Sequence, residues 1–142
     1  MLFDITRITT RPDAQEWLSL WGDYSRACDN LVDSGERTPA RMVESWALGN
    51  RCYSHPFYRA NAHLLQSACL MATSLWSLSC DWEKDAELWK RQWADVLRHA
   101  DVAIVLAVCL ICGASWESCQ DVTRAFLVAG RVQHKEKYGE PT

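Results

Sequence analysis

The sequence predicts an all-α fold, a single-domain irregular bundle of about five helices over residues 1–142. Three observations predict it. Apolar residues recur at intervals of three and four, the period of a helix with one buried face. Helix-start signals, in which Ser, Thr or Asp stands ahead of proline or early acids, punctuate the chain. No stretch sets a two-residue hairpin turn between alternating apolar and polar runs, so strands have no support.

The first helix is expected to start at Thr10, ahead of Arg11-Pro12-Asp13. Proline suits the first helical position because its φ is preset and its missing N–H is not needed there. An early acid suits the positive end of the helix dipole. Trp17, Leu20, Trp21, Tyr24, Cys28 and Leu31 form its apolar stripe, and Asp33-Ser34-Gly35-Glu36-Arg37 reads as the turn that ends it. Thr38 before Pro39 opens the second helix, whose stripe is Met42, Val43 and Trp46. Ser54 or His55 before Pro56 opens the third, with Phe57, Ala60, Leu64, Ala68, Met71, Leu75 and Leu78 along one face. A tight corner is expected at 79–81, with Asp81 as the N-cap of a helix beginning at Trp82 and Glu83 and Asp85 in its first turn. From 82 to 112 there is neither Gly nor Pro, so the segment reads as one helix of about 30 residues, or two with a break near His99-Ala100-Asp101. Gly113 is the expected C-cap, and Ser115 the start of a last helix with Trp116, Cys119, Val122 and Phe126 in register. The polar tail from about Gln133 is expected to fray.

With 142 residues the chain can bury a core without a disulfide or metal staple. A formal net charge of −3 gives no global attraction to nucleic acid or anionic lipid. Asp4 interrupts the opening MLFDITRITTRPD before any apolar signal-peptide core can form. The most apolar run, 102–112, is about half the roughly 20 residues that a spanning helix needs. No membrane association and a cytoplasmic location are therefore expected. In that setting the seven cysteines (28, 52, 69, 80, 109, 112 and 119) read as reduced thiols packed as small hydrophobes.

Cys109-Leu-Ile-Cys112 has the Cys-x-x-Cys spacing of zinc knuckles and thioredoxin-like sites. It lacks the second ligand pair of the first and the βαβ setting of the second, and its apolar flanks fit a core helix. No metal and no cofactor are expected. Asp95 and His99 stand one turn apart, with Asp101 close behind, a spacing that can orient a base or contribute to a metal site, but no third ligand stands at motif spacing. Arg124, Arg131, Lys135 and Lys137 form a late basic stripe suited to phosphate. The serine-hydrolase, P-loop, zinc-protease and dinucleotide fingerprints are missing.

Asp81, Glu83, Asp85 and Glu87 cluster with Trp82 and Trp89 in DWEKDAELW. Carboxylates beside aromatic anchors suit docking to a basic surface, because charge sets the encounter rate and the rings supply burial. Glu83 and Glu87 are expected one helical turn apart. Eight tryptophans are many for a core of this size, so some are expected on a partner or self-association surface.

The stretch QWADVLRHADVAIVLAVCLICGASWE, 92–117, loosely resembles the later half of MazG-like nucleotide pyrophosphohydrolases. The resemblance implies an all-α fold with magnesium held by acids between helices. Gln92 stands where the family's E-x-x-D motif has its Glu, before Asp95, and no E-E-x-x-E counterpart occurs between 38 and 80. A single carboxylate cannot hold the metal, so that chemistry is not expected here.

The function expected from the sequence is non-enzymatic: a small intracellular protein that binds another macromolecule as an inhibitor, adaptor or assembly subunit. Asp81, Trp82, Glu83, Asp85, Glu87 and Trp89 are its expected contact residues, and a protein with a basic surface its expected partner; a second copy of the chain would be another. The alternatives are an all-α nucleotide-processing or ligand-binding protein with Asp95, His99 and Asp101 near its site, and a nucleic-acid-binding module using the late basic stripe.

Overall fold

The structure is a computed structural model that describes residues 3–35 and 37–139. The fold is all-α, and no strand occurs among the described residues. A short 3-10 turn at Ile5–Arg7 precedes α1 (Pro12–Asp33), α2 (Pro39–Ser54), α3 (Pro56–Ala60), α4 (Ala62–Trp82), α5 (Leu88–Leu97), α6 (Val102–Ile111) and α7 (Trp116–Tyr138). These elements gather into two compact units, Met1–Ala62 and His63–Thr142.

The first unit is built on aromatic packing. Trp17, Leu18 and Trp21 of α1 are buried with Cys52 of α2 and Phe57 and Tyr58 of α3. The Trp17 ring lies 5.8 Å from Trp21, 5.9 Å from Phe57 and 6.2 Å from Tyr58, within the range where aromatic quadrupoles add to burial. Its indole N–H donates to the Cys52 carbonyl at 3.1 Å, so the one polar atom of the ring is satisfied inside the core. Gly49 lets α2 approach α1, because a Cβ there would stand 3.1 Å from the Tyr24 ring.

The helix starts follow local chemistry. Thr38 caps α2 by accepting from the Arg41 N–H, and His55 Nδ1 accepts from the Phe57 N–H to open α3. At α1 the N-cap is Arg11, one residue later than the expected Thr10, and it makes no side-chain cap. Its guanidinium instead pairs with Asp13 in the first turn at 2.8 Å. The expected third helix is two, broken at Asn61, whose side-chain amide donates back to the Phe57 carbonyl. The second stripe also departs from expectation. Val43 and Trp46 are exposed, and α2 buries Ser45, Gly49 and Cys52 instead.

In the second unit, α4 runs through the expected corner at 79–81 and ends at Trp82. Asp81 is therefore in the last turn of α4, not the N-cap of the next helix. The corner lies later, at 83–87, and needs no glycine. The Asp85 carboxylate accepts from the Glu87 N–H at 3.0 Å, and Arg91 donates to the carbonyls of Asp85 and Ala86 at 2.6 and 2.8 Å. Side chains here satisfy backbone groups that a continuing helix would have paired. A second break occupies residues 98–101, the place anticipated around His99-Ala100-Asp101.

Ile104, Val105, Val108 and Cys109 of α6 are buried, as the apolar run requires. Gly113 ends α6 at φ +80, with Gly113 N–H bonded to the Leu110 carbonyl and Ala114 N–H to the Cys109 carbonyl. This paired closure needs a left-handed residue, which glycine supplies without steric cost. Ser115 then caps α7 by accepting from the Ser118 N–H at 3.1 Å. α7 continues to Tyr138 through the polar stretch expected to fray. No described helix is long and apolar enough to cross a membrane.

Candidate functional site

α5 is inside out. Trp89, Trp93 and Val96 fall at spacings of four and three, so they share one face. They are 50%, 55% and 61% exposed. Two residues beyond Trp93, on the opposite side of the helix, Asp95 is buried, and Ala94 beside it is fully covered. An ordinary surface helix buries its apolar stripe and exposes its charges. Here the charge is inside and the indoles are outside.

The buried carboxylate holds an ionic cluster together. His134 Nδ1 lies 2.9 Å from Asp95 Oδ1, and the Arg131 guanidinium 3.2 Å from Oδ2, both from α7. Arg98, at the C-terminal end of α5, approaches Asp95 at 3.7 Å and Glu83 of the preceding corner at 3.8 Å. His99 completes the group by packing against Gly130 of α7. A Cβ on Gly130 would sit 2.7 Å from its Nδ1, so only glycine lets the ring lie there. Burial holds the His99 imidazole below its ordinary pKa; the Asp95 charge opposes that, and Arg98, His134 and Arg131 add to it. Asp95 Oδ1, Arg98 Nε and His99 Nε2 are buried and make no aligned hydrogen bond. The cluster is thus held largely by charge proximity, and buried polar groups in that condition are costly.

The acidic corner expected to meet a partner is engaged within the chain. Lys90 pairs with Glu87 at 2.8 Å and with Asp85 at 3.2 Å. The Glu87 N–H and Lys90 hold the Asp85 carboxyl below the usual carboxylate range. Glu83 faces Arg98. Glu83 and Glu87 are not a helical turn apart on one face, because the chain between them is the corner. Asp81 is exposed at the end of α4. Trp82 meets Trp89 edge to face at 5.5 Å, and the Lys90 ammonium lies 5.7 Å from the centre of the Trp89 ring. The structure therefore brings Trp82, Glu87 and Trp89 together around the start of α5, with Trp93 and Val96 continuing the surface along the helix.

Trp93 and Val96 belong to this face but were not among the expected contact residues. Trp89-x-x-x-Trp93-x-x-Val96 has helical spacing, and nothing local tells which way that face turns. Arg131 belongs to the expected basic stripe and His134 stands at no motif spacing; the fold turns both toward Asp95. Arg124 pairs with Asp121 at 3.4 Å on the surface, and the Lys137 side chain lies outside the described residues. Asp101 stands at the start of α6 and makes no side-chain cap. Among the described residues no group of three His, Cys, Asp or Glu could hold a metal ion.

None of the seven cysteines is in a disulfide. Burial pushes Cys52 up to about 12 and Cys109 up to about 11, so neither is ionised at neutral pH and neither is a ready nucleophile. In the first unit a groove of about 280 Å³ lies between α1 and α2, bordered by Asp23, Arg26, Arg41 and Glu44. Its one buried hydroxyl, Ser45, is already donated to the Arg41 carbonyl at 3.1 Å.

Set beside known proteins, the chain matches no family model, no curated protein and no solved structure.

Proposed function

We propose that the chain is a non-enzymatic binding protein whose docking surface is the outward face of α5. The inverted polarity of that helix carries the reading: Trp89, Trp93 and Val96 face solvent while Asp95 is buried beneath them. A helix stabilised for its own sake would be turned the other way. Tryptophan is over-represented among residues that dominate interface energies, because a large rigid ring buries much area at little entropic cost. Leu88, also exposed, extends the apolar area. Trp82 buttresses Trp89 from the end of α4, and Glu87 and Lys90 form a polar rim of both signs.

The partner is a protein presenting an apolar groove or patch. The acids of 83–87 are matched by Lys90 and Arg98 within the chain, so burial of indoles contributes more to binding than attraction to a basic surface does. The protein acts as an inhibitor, adaptor or assembly subunit in the cytoplasm, where cysteines stay out of disulfides as these do.

The double variant Trp89→Ser, Trp93→Ser tests this. Partners captured by the wild-type chain from its native host are identified, and the affinity of one purified partner is measured for both proteins. The variant is expected to melt with the wild type and to bind at least about a hundredfold more weakly, the loss of two modest hot spots. Wild-type affinity in the variant refutes the reading. Sedimentation of the two proteins alone shows whether the face also serves a second copy of the chain.

A further inference from the structure

We propose that the cluster around Asp95 is an acid-sensitive clasp: a proton taken up by His99 loosens α5 from α7 and so disturbs the tryptophan face, a regulation that rests on reading that face as the docking surface. α5 is short, and the buried positions it contributes are Ala94 and Asp95. Little apolar area holds it on this side. Its attachment to α7 runs through Asp95 with Arg131 and His134, and through the His99 ring seated on Gly130.

The groups that face His99 define its response. From α5 and its end come Asp95 and Arg98; from the α4–α5 corner, Glu83, which faces Arg98; from α7, Arg131 and His134. Two carboxylates thus stand against two guanidiniums before any imidazole is charged. A proton on His99 adds a cation to a site whose negative charge is already matched. The ring cannot withdraw while staying seated, because the Gly130 backbone closes one side of it. Its Nε2 is shut off from water, and parting α5 from α7 opens it.

The sign follows from burial. The folded protein holds the His99 imidazole below its ordinary value of about 6.5, so the neutral ring is the form the fold prefers. The contribution is intact above that value and is lost as pH falls from there toward the folded-state value. Carboxylates titrate lower, so the window from about pH 6.5 to about pH 5 belongs to imidazole.

Hydrogen exchange of the full chain, corrected for the intrinsic effect of pH and followed by mass spectrometry, tests the clasp without any partner. Protection of α5 is expected to fall between about pH 7.5 and about pH 5.5, approaching tenfold for each unit by which the folded value lies beneath the ordinary one. In His99→Gln, which cannot titrate, the fall is expected to vanish while α6 behaves as in the wild type. Unchanged protection of α5 in the wild type, or the full fall persisting in His99→Gln, overturns the proposal. Should that variant not fold, an NMR titration of the wild-type imidazole decides: a His99 ring that titrates at or above the ordinary value overturns it. These readouts stand apart from docking. A failed clasp leaves the result for Trp89 and Trp93 at neutral pH unaffected, and wild-type binding by that double variant leaves the exchange result unaffected.

Discussion

The tryptophans of the first unit and those of α5 do opposite work. Trp17 and Trp21 are fully buried, with the Trp17 N–H satisfied on Cys52, whereas Trp89 and Trp93 are half exposed above a buried carboxylate. Each pair stands at i and i+4 on its helix, so local spacing is the same. What differs is the covering. α1 meets α2 and α3, which supply Cys52, Phe57 and Tyr58. The side of α5 that meets α7 carries Asp95, and its partners there are Arg131 and His134. Helical period shows which residues share a face; the identity of the neighbouring element decides whether that face is the inner one.

That contrast can be broken by substitution. The largest effect is expected from Trp17→Ala. Removing a fully buried indole leaves a cavity and deprives the Cys52 carbonyl of its donor, a loss of about 3–5 kcal/mol by denaturant unfolding. A cost below about 1 kcal/mol would mean that the aromatic core is not packed as described. Next comes Asp95→Ala, which strands Arg131 and the imidazoles near a vanished charge. The expected loss is about 3 kcal/mol, the lower end for breaking a buried ion pair because the distances to Arg98 are long. If the variant is as stable as the wild type, α5 is held by something other than charge.

A smaller effect is expected from Gly130→Ala. Alanine favours a helix by about 1 kcal/mol over glycine, but its Cβ would collide with His99, and overpacking costs about 1–3 kcal/mol. The net is destabilisation of about 1 kcal/mol, and it should reverse to stabilisation in a His99→Ala background, a coupling that a double-mutant cycle reads directly. The smallest effect on stability, within about 0.5 kcal/mol, is expected for Trp89→Ser, Trp93→Ser. The ordering of Trp17 against this pair sharpens the comparison, since equal losses would mean that α5 buries its indoles after all.

Much of the fold was legible because caps and turns are local. Thr38, Gly113 and Ser115 act where their chemistry said they would. The corner at 83–87 was not legible. It has no Gly or Pro, and what breaks the helix is Asp85 capping Glu87 while Arg91 reaches back to two carbonyls. Those are helix-compatible residue types, and only their joint geometry ends the helix. The site divides in the same way. Asp95 and His99 stood out by sitting one turn apart, but Arg131, His134 and Gly130 come from a helix later in the chain, and no spacing rule links them. Trp82 and Trp89 meet across a corner and not on one helical face, and Glu87 is tied to Lys90 beside them.

The meeting of Trp82 and Trp89 has an optical consequence. Their rings lie 5.5 Å apart at 71°, one at the end of α4 and one in the first turn of α5. Indole transition dipoles that close and that steeply inclined mix, and a mixed pair gives a bisignate circular-dichroism band whose amplitude changes with the angle between the rings. Trp17 and Trp21, 5.8 Å apart at 30°, give a second and differently oriented pair. Subtracting the spectrum of Trp82→Phe from that of the wild type isolates the first pair. The chain therefore carries its own label across the α4–α5 corner, one that registers a swing of α5 while the total helix signal stays constant.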